Sequence, residues 1–442
     1  MVFSQKIKNL FGNDVHLLEL LKGGGATFLM KIFGMGFGYL LAILITNNYG
    51  AQFFGQYVTA LLVLEILSIV SRLGIDTSVI RLLSSFVIKN ETAKIHKLYL
   101  RVSIILLLSS SIFALFTYLF SEAIAQLLNA SSSHIKLISY VVVPLVLYYL
   151  NAQALRGLKK IAAFSFLNNV ALVLGTLVLI LTGDAIFNSK ELPIFAYVTS
   201  VSLMTFLSFF LWYKYSRHFK LDLSQSVIGS STLIKISIPL LLGQSMMLIM
   251  GKIDILMLGA IIDQESVGIY NAALKLSMLA YVGLMAINSI TAPKFAELNE
   301  SGNLEALKSL VQKSTKTIFW ITLPVVLIFA FLPSQILSVF GEEFQIATYS
   351  LIILSVGKMF SAICGSVGTL LQMSGNQKYF QNVLIAAAIL NVALNYFLIP
   401  EFQLLGAALA SLISNVFWNV LMVIYIKKKF GFYTIYLPFL TR

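Results

Sequence analysis

Charged residues are scarce in this 442-residue chain, and their scarcity excludes most classes of soluble protein. Only 11% of the residues are Asp, Glu, Lys or Arg, whereas 58% are hydrophobic. A soluble domain has about 25% charged residues, which it needs to cover its surface. The mean hydropathy of +0.89 therefore indicates that lipid surrounds most of the chain, and it excludes a water-soluble enzyme or a nucleic-acid-binding protein.

Cysteine and histidine are also rare. The single cysteine, Cys364, cannot form an intrachain disulfide, so cysteine usage does not indicate whether the protein resides in an oxidising or a reducing compartment. The four histidines, at positions 16, 96, 134 and 218, lack metal-ligand spacing, and no two carboxylates are predicted at one depth for acid–base chemistry. We therefore expect no catalytic residues, no metal site and no cofactor.

Long apolar runs fill the chain and show no two-residue alternation, which excludes an outer-membrane barrel. Each run approaches the ~20 residues that a helix needs to cross a bilayer. The sequence predicts an all-α, polytopic membrane protein with twelve transmembrane helices near residues 25–47, 54–72, 99–120, 137–155, 161–182, 192–213, 236–262, 267–290, 317–334, 345–372, 379–399 and 403–426.

Basic residues are distributed asymmetrically between the predicted spans. They concentrate in the N-terminal segment, the even-numbered connections and the tail, whereas the opposite connections contain only Lys136 and Lys190. Because positive loops remain on the cytoplasmic side, this pattern predicts a protein of the cytoplasmic (inner) membrane with both termini inside. Topology accounts for most of the net charge of +13, so no nucleic-acid partner is needed. We expect no cleavable signal peptide.

A weak internal repeat divides the chain into halves. The segment FGQYVTAL at 54–61 matches VGIYNAAL at 267–274, which aligns Gly55 with Gly268 and Tyr57 with Tyr270. Two parallel repeats predict pseudo-symmetric six-helix bundles with a cleft between them. The predicted domains are an interfacial N-terminal segment (1–22), a first bundle (23–213), a cytoplasmic linker (214–231), a second bundle (232–428) and a cytoplasmic tail (429–442).

Six ionisable side chains are predicted at membrane depth, where a charge costs at least ~2.5 kcal/mol. They are Lys31, Glu65, Lys252, Asp254, Lys275 and Lys358. Estimated depths predict that Lys31 pairs with Glu65 in the first half. They also predict that Asp254 pairs with Lys275 in the second. Lys252 and Lys358 would remain without a carboxylate partner. Each would then bind an anionic ligand, or else snorkel to the membrane interface or hydrogen-bond to carbonyl groups.

Four asparagines lie at i and i+4 on the last two predicted helices. These are Asn391 with Asn395, and Asn415 with Asn419. Amides can bind sugar hydroxyls, but they also join transmembrane helices at ~0.6 kcal/mol per contact. Both interpretations remain open from the sequence alone.

Several segments resemble a known family when taken in order. They are SRLGIDTSVIR (71–81), LRGLKK (155–160), IPLLLGQSMMLIMGKIDILMLG (238–259) and VGIYNAALKL (267–276). Together they resemble polysaccharide repeat-unit (O-antigen or capsular) flippases of the multidrug/oligosaccharidyl-lipid/polysaccharide (MOP) exporter superfamily. That superfamily also contains the multidrug/toxin exporters (MATE) and the lipid II flippase.

This resemblance implies a MATE-like pair of bundles that forms a V. It implies a flippase that moves an undecaprenyl-pyrophosphate-linked oligosaccharide to the outer leaflet for O-antigen, capsule or exopolysaccharide assembly. Membrane lipids and the polysaccharide polymerase machinery are the implied partners. The family pattern includes Asp254 in its K-x-D-x-L-M-L-G stretch, and Asp76 and Arg81 after the second helix.

Our hypothesis from the sequence is alternating access around a cationic central cleft. The predicted pyrophosphate ligands are Lys252, Lys358, Lys31 and Lys275. The predicted sugar ligands are Asn391, Asn395, Asn415 and Asn419. The predicted coupling or gating residues are Glu65, Asp254, Arg72, Asp76 and Arg81. Three alternatives remain. One is a cation-coupled multidrug antiporter of the same superfamily, another is a membrane-embedded polysaccharide polymerase or ligase, which the short external connections disfavour, and the third is a non-transporting assembly scaffold.

Overall fold

The protein is predominantly helical in the part of the chain that the structure describes. This computed structural model describes residues 15–183, 191–219 and 227–438, and no strand occurs within those ranges. Within the described ranges, eight helices are long and apolar enough to cross a membrane, and the number is ten if each of two bent helix pairs counts as one span. Two of these long helices are interrupted by a non-helical residue, which is consistent with the predicted twelve spans. The prediction of an all-α polytopic membrane protein is confirmed.

The first half contains nine helices in the described ranges. They are α1 (Val15–Ser71), α2 (Ile75–Ile88), α3 (Ala93–Leu119), α4 (Ser121–Leu127), α5 (Ser132–Ser139), α6 (Val142–Gly157), α7 (Ile161–Phe166), α8 (Leu172–Gly183) and α9 (Leu192–Ser216). A π-helical turn, Leu167–Ala171, joins α7 to α8.

The second half contains eight helices in the described ranges. They are α10 (Ser230–Ile261), α11 (Gln264–Leu279), α12 (Val282–Glu300), α13 (Leu304–Phe331), α14 (Pro333–Leu337), α15 (Thr348–Cys364), α16 (Val367–Met373) and α17 (Gln377–Phe430). Two short 3₁₀ turns, Ser338–Phe340 and Glu342–Ala347, connect α14 to α15.

Two long helices each change direction at one residue. Helix α1 is interrupted at Gly50, which has φ 77°, and α17 is interrupted at Gln403, which has φ 48°. Glycine adopts such a positive φ without a steric penalty because it has no Cβ. Counted from Thr27 in α1, and along the whole of α17, each limb on either side is about the length of a membrane span. We call the face that contains Gly50 and Gln403 the distal face, and the face that contains residues 156–160 and 427–429 the basic face.

The packing of the two bundles differs between these faces. One large hydrophobic core includes Ile45 and Tyr148 of the first bundle together with Tyr270 and Phe344 of the second. Three smaller cores lie apart from it among the described residues, and two of them are towards the basic face. One is built mainly from the first bundle and includes Leu98 and Leu150, and the other lies in the second bundle around Phe295 and Met422. The bundles therefore share a core towards the distal face and have separate cores towards the basic face, as in a V.

The sequence repeat lies at the centre of the distal contact. A Cβ built on Gly55 would overlap the carbonyl oxygen of Gln264, and one built on Gly268 would overlap the carbonyl oxygen of Ala51. The buried Thr59 hydroxyl also donates a 2.7 Å hydrogen bond to Oε1 of Gln264. The aligned glycines thus allow α1 and α11 to pack backbone against backbone.

A second contact between the halves lies nearer the basic face, where α2 packs against α10. The hydroxyl groups of Ser78 and Ser237 are 2.6 Å apart and buried. The Gln244 amide donates a 2.7 Å hydrogen bond to the Thr77 hydroxyl. Gly74, with φ 70°, lets the chain turn into α2 directly against α10.

Parts of the predicted terminal and linker segments lie outside the described residues. These parts are 1–14 of the interfacial segment, 220–226 of the linker and 439–442 of the tail. The predicted domain boundaries therefore stay predictions.

Candidate functional site

A central cavity of about 320 Å³ lies between the two bundles. Glu65 of α1 faces it from the first bundle, and Lys252 of α10 and Lys275 of α11 face it from the second. Amides and tyrosines complete its polar lining. Among them are Asn168, Asn169, Asn271, Tyr57, Tyr149 and Tyr197.

An ion pair crosses this cavity and links the bundles. The Lys252 ammonium lies 2.7 Å from Oε2 of Glu65, and the two side chains are 45% and 43% exposed. Lys275 instead donates a 3.0 Å hydrogen bond to the carbonyl oxygen of Gly38. Two lysines thus face one glutamate, so the central cavity has one net positive charge within the described lining.

The predicted pairing of Lys31 with Glu65 is wrong, because Glu65 binds Lys252. Lys31 is exposed on α1 and lines neither polar cavity. Depth along a hairpin can be estimated from residue counts, but the direction in which each helix faces depends on tertiary packing. The expectation that Lys252 is unpaired is wrong for the same reason.

The predicted pairing of Asp254 with Lys275 is also wrong. The Asp254 carboxylate is buried and accepts hydrogen bonds through Oδ2 from the hydroxyls of Tyr270, at 2.7 Å, and Ser411, at 2.6 Å. Its Oδ1 atom has no partner among the residues described. Asp254 therefore connects α10, α11 and α17 inside the second bundle and does not face the central cavity.

Tyr57 and Tyr270, which the sequence repeat aligns, provide a test of the hydrogen bonding of Asp254. Tyr270→Phe should lower the thermal midpoint of unfolding in detergent, because loss of one donor to a buried carboxylate costs ~1–3 kcal/mol. Tyr57→Phe is the matched control, since the buried Tyr57 hydroxyl has no hydrogen-bond partner in the described part of the chain. Equal midpoints for the two variants would contradict the assigned role of Tyr270.

A second polar cavity, of about 410 Å³, lies within the second bundle. It is lined by Lys358 of α15 and by Asn391, Asn415 and Asn419 of α17. Asn395 does not line it, but donates a 3.1 Å hydrogen bond to Oδ1 of Asn391. This second-bundle cavity shares no lining residue with the central cavity. The expectation that Lys252 and Lys358 occupy one cleft is therefore wrong.

The predicted gating residues fall in different environments. The Arg72 guanidinium lies 2.8 Å from the Asp76 carboxylate and 4.5 Å from the ring centroid of Tyr149, and both charged residues are buried. This pair stabilises the turn that brings α2 against α10. Arg81 is exposed on α2.

Sequence reasoning missed the connection between Asp254 and the asparagine stripe. Ser411 lies one helical turn before Asn415, so extending the i, i+4 pattern of α17 by one turn would have found it. Reasoning from sequence also missed the π-helical turn that contains Asn168 and Asn169. Such turns are rare and often occur at functional sites, and they leave no simple sequence signature.

Comparison with known proteins identifies the family. Residues 20–299 match the family described as polysaccharide biosynthesis protein, and residues 239–397 match the MatE family. The first match covers more than half of the chain. The helical spans and the paired bundles define a polytopic membrane protein with a MATE-like fold. The chain belongs to the polysaccharide biosynthesis protein family.

Two relatives align with this chain over only part of their own length. The chain is 26% identical over 176 residues to a probable low-salt glycan biosynthesis flippase of Haloferax volcanii, covering 40% of this chain and 37% of that protein. It is 26% identical over 164 residues to a putative O-antigen transporter of Shigella flexneri, covering 37% and 38%. The chain thus aligns with less than two fifths of either relative.

Solved structures share the fold over nearly the whole chain. The lipid II flippase MurJ in an inward closed conformation superposes with a TM-score of 0.71 at 16% identity, covering 93% of this chain and 89% of that one. An inward-facing multidrug resistance MATE transporter of the MOP superfamily gives 0.70 at 15% identity, covering 97% of both chains. The MATE-like fold that the sequence implies is confirmed.

Proposed function

We propose that this protein is a flippase that moves a lipid-linked oligosaccharide across the cytoplasmic membrane. The substrate proposed is an undecaprenyl-pyrophosphate-linked repeat unit used for O-antigen, capsule or exopolysaccharide assembly. Family membership and the functions of the two partial relatives, a probable glycan biosynthesis flippase and a putative O-antigen transporter, support this proposal. Membrane lipids and a polysaccharide polymerase are the partners that such a function requires.

The net positive charge of the central cavity carries the proposal. A pyrophosphate group needs cations at membrane depth, and Lys252 and Lys275 provide two within electrostatic range of each other. The surrounding amides of Asn168, Asn169 and Asn271 suit the hydroxyl groups of the first sugars. The polyprenyl tail would remain in lipid.

Glu65 acts as an internal counter-ion in this mechanism. It holds Lys252 while the cavity is empty, and the pyrophosphate displaces it when substrate binds. Since the Lys252 and Glu65 side chains are both nearly half exposed, the ion pair is screened by water and exchange of partners costs little. The exchange would weaken a link between the bundles at the moment of binding.

Alternating access follows from the unequal packing at the two faces. The oligosaccharide enters from the basic face, which we assign to the cytoplasm. Separation of the distal contact at Gly55 and Gly268 then exposes the sugars outside. The membrane potential supplies ~2.3 kcal/mol per exported negative charge at 100 mV, inside negative. Coupling to an ion through Glu65 or Asp254 would add to this drive.

A liposome assay with purified protein tests the proposal. The substrate is a polyprenyl-pyrophosphate-linked oligosaccharide with a fluorescent sugar, and a membrane-impermeant quencher reports its movement between leaflets. We expect flipping that accelerates when an inside-negative potential is applied in the direction of export. No flipping above protein-free liposomes would overturn the proposal.

The match of residues 239–397 to the MatE family makes a multidrug antiporter the second candidate. That function predicts cation-driven dye efflux from the same liposomes and lower susceptibility of expressing cells to cationic dyes. Glu65 is the one carboxylate in the described lining of the central cavity, and Lys252 already neutralises it. We therefore expect neither effect. Elongation of the glycan in this assay would instead indicate a polymerase.

A further inference from the structure

The second-bundle cavity has the chemistry of a ligand site separate from the central one. Its volume of about 410 Å³ lies within the ~300–1,000 Å³ usual for small-molecule sites. Helices α15 and α16 break at Gly365 and Ser366, and both residues line the cavity. Non-helical backbone at membrane depth is tolerated where it lines a polar cavity.

Three buried polar atoms of lining residues have no hydrogen-bond partner among the residues that the structure describes. They are Oδ1 of Asn288, Oγ of Ser366 and Oγ of Ser414. A buried hydroxyl or amide without a hydrogen bond costs ~1–3 kcal/mol, so native proteins seldom leave several together. Asn288 of α12, Ser366 of the break after α15 and Ser414 of α17 all line the same cavity, and rotation of their side chains would present these shielded atoms to the hydroxyl groups of a ligand.

Lys358 is the one charged side chain in the described lining of this cavity. Its ammonium lies 5.6 Å from the ring centroid of Tyr281, and no ion pair or hydrogen bond of its ammonium occurs among the residues described. Asp254 is within electrostatic range and keeps its charge, since its partners Tyr270 and Ser411 are neutral hydroxyls, but it forms no direct ion pair with Lys358 among the residues described. An ammonium in this setting is stabilised by an anionic group of a ligand.

Aromatic rings complete the cavity. Trp418 of α17 lines it, and its indole N–H donates a 2.8 Å hydrogen bond to Oδ1 of Asn415, which fixes the ring. Tyr281 lies beside Lys358. Rigid rings offer an apolar surface to the C–H face of a sugar, while neighbouring amides and hydroxyls bind its O–H groups.

We propose that the second-bundle cavity binds an acidic sugar unit, with Lys358 on the carboxylate, the Asn and Ser groups on the hydroxyls and Trp418 against the ring. This inference rests on the proposed function, because it makes a carboxylate-bearing sugar part of the transported glycan. The proposal assigns two anionic groups of the substrate to different cavities. The pyrophosphate binds at Lys252 and Lys275, and the sugar carboxylate binds at Lys358.

Intrinsic fluorescence can test the site directly. The protein has three tryptophans, and the double variant Trp212→Phe/Trp320→Phe leaves Trp418 as the reporter. Purified protein in nanodiscs is titrated with D-glucuronate, D-glucose and inorganic phosphate at constant ionic strength. We expect a saturable change with glucuronate, and about tenfold weaker binding of glucose, equivalent to ~1.4 kcal/mol. We expect phosphate to bind as weakly as glucose or more weakly.

Matched lysine variants identify the group responsible. Lys358→Met should remove the preference for glucuronate over glucose, and Lys358→Arg should retain part of it. Lys252→Met, which removes the ammonium of the central cavity, should leave glucuronate binding within about twofold of the parent. Calorimetry on the unaltered protein provides the same sugar comparison if the double tryptophan variant fails to fold.

Each contrary result overturns the inference. Absence of saturable glucuronate binding excludes the site, equal binding of glucose excludes the acidic preference, and equal binding of phosphate indicates a general anion site. The liposome assay separates the two proposals. Flipping without glucuronate binding overturns this inference alone, whereas glucuronate binding without flipping of any lipid-linked glycan overturns the proposed function alone.

Discussion

Replacing Lys252 by Ala is expected to abolish flipping in liposomes while protein level in the membrane remains normal. The substitution removes the net positive charge of the central cavity, because Lys275 then faces Glu65 alone. It also removes one of the two cations that we assign to the pyrophosphate. The measurement is the initial flipping rate per reconstituted molecule, which should fall to the rate of protein-free liposomes.

Two further variants separate substrate binding from a structural role. In Lys252→Met/Glu65→Gln the ion pair is removed without leaving an unpaired carboxylate, and we expect this variant to be inactive as well. Glu65→Gln alone should flip at a rate within a fewfold of the parent. The matched control is Lys31→Ala, which removes an exposed lysine of α1 outside both polar cavities. Normal flipping by the double variant would show that Lys252 serves only to neutralise Glu65.

The second large effect is expected at the glycine contact between the repeats. Gly268→Ala places a methyl group against the carbonyl oxygen of Ala51, which is backbone and cannot rotate away. The bundles must then separate at the distal face, at an overpacking cost of ~1–3 kcal/mol. We expect a lower thermal midpoint of unfolding and a loss of most flipping activity.

A control glycine on the same long helix as Gly55 makes this test specific. Gly36 has open space where its Cβ would lie, so Gly36→Ala should leave both the midpoint and the flipping rate close to those of the parent. Gly55→Ala should reproduce the effect of Gly268→Ala, since its Cβ would overlap the carbonyl oxygen of Gln264. If Gly268→Ala behaves like Gly36→Ala, the backbone contact at the distal face is not required in the working cycle.

Helix bends limited how well individual spans could be predicted. The span predicted at 267–290 is a pair of helices, Gln264–Leu279 and Val282–Glu300, bent by 48°. The span predicted at 345–372 contains the break at Gly365. Apolar length measures how much chain can reside in lipid, but a bend depends on local backbone angles that hydropathy does not report.

The charged residues of the candidate site show the same difference between what the sequence predicts and what the packing decides. All three charged residues of the central cavity were recognised as charges at membrane depth, because the cost of burying a charge is a property of the residue and its surroundings in sequence. Their partners were assigned wrongly, since Glu65 bonds to Lys252 on the other bundle and Lys275 bonds to a carbonyl group of α1. Contacts between bundles join residues far apart in sequence and depend on how each helix is rotated.

The sequence by itself determined that lipid surrounds most of the chain and that the fold is helical. It also revealed the internal repeat and the charged residues at membrane depth, because hydropathy, periodicity and the cost of desolvation are local quantities. Only the tertiary structure decided that Lys252 and Lys358 line different cavities and that Gly55 lies against Gly268. These facts depend on the close packing of helices from both halves, in which the shape of each surface selects its partner.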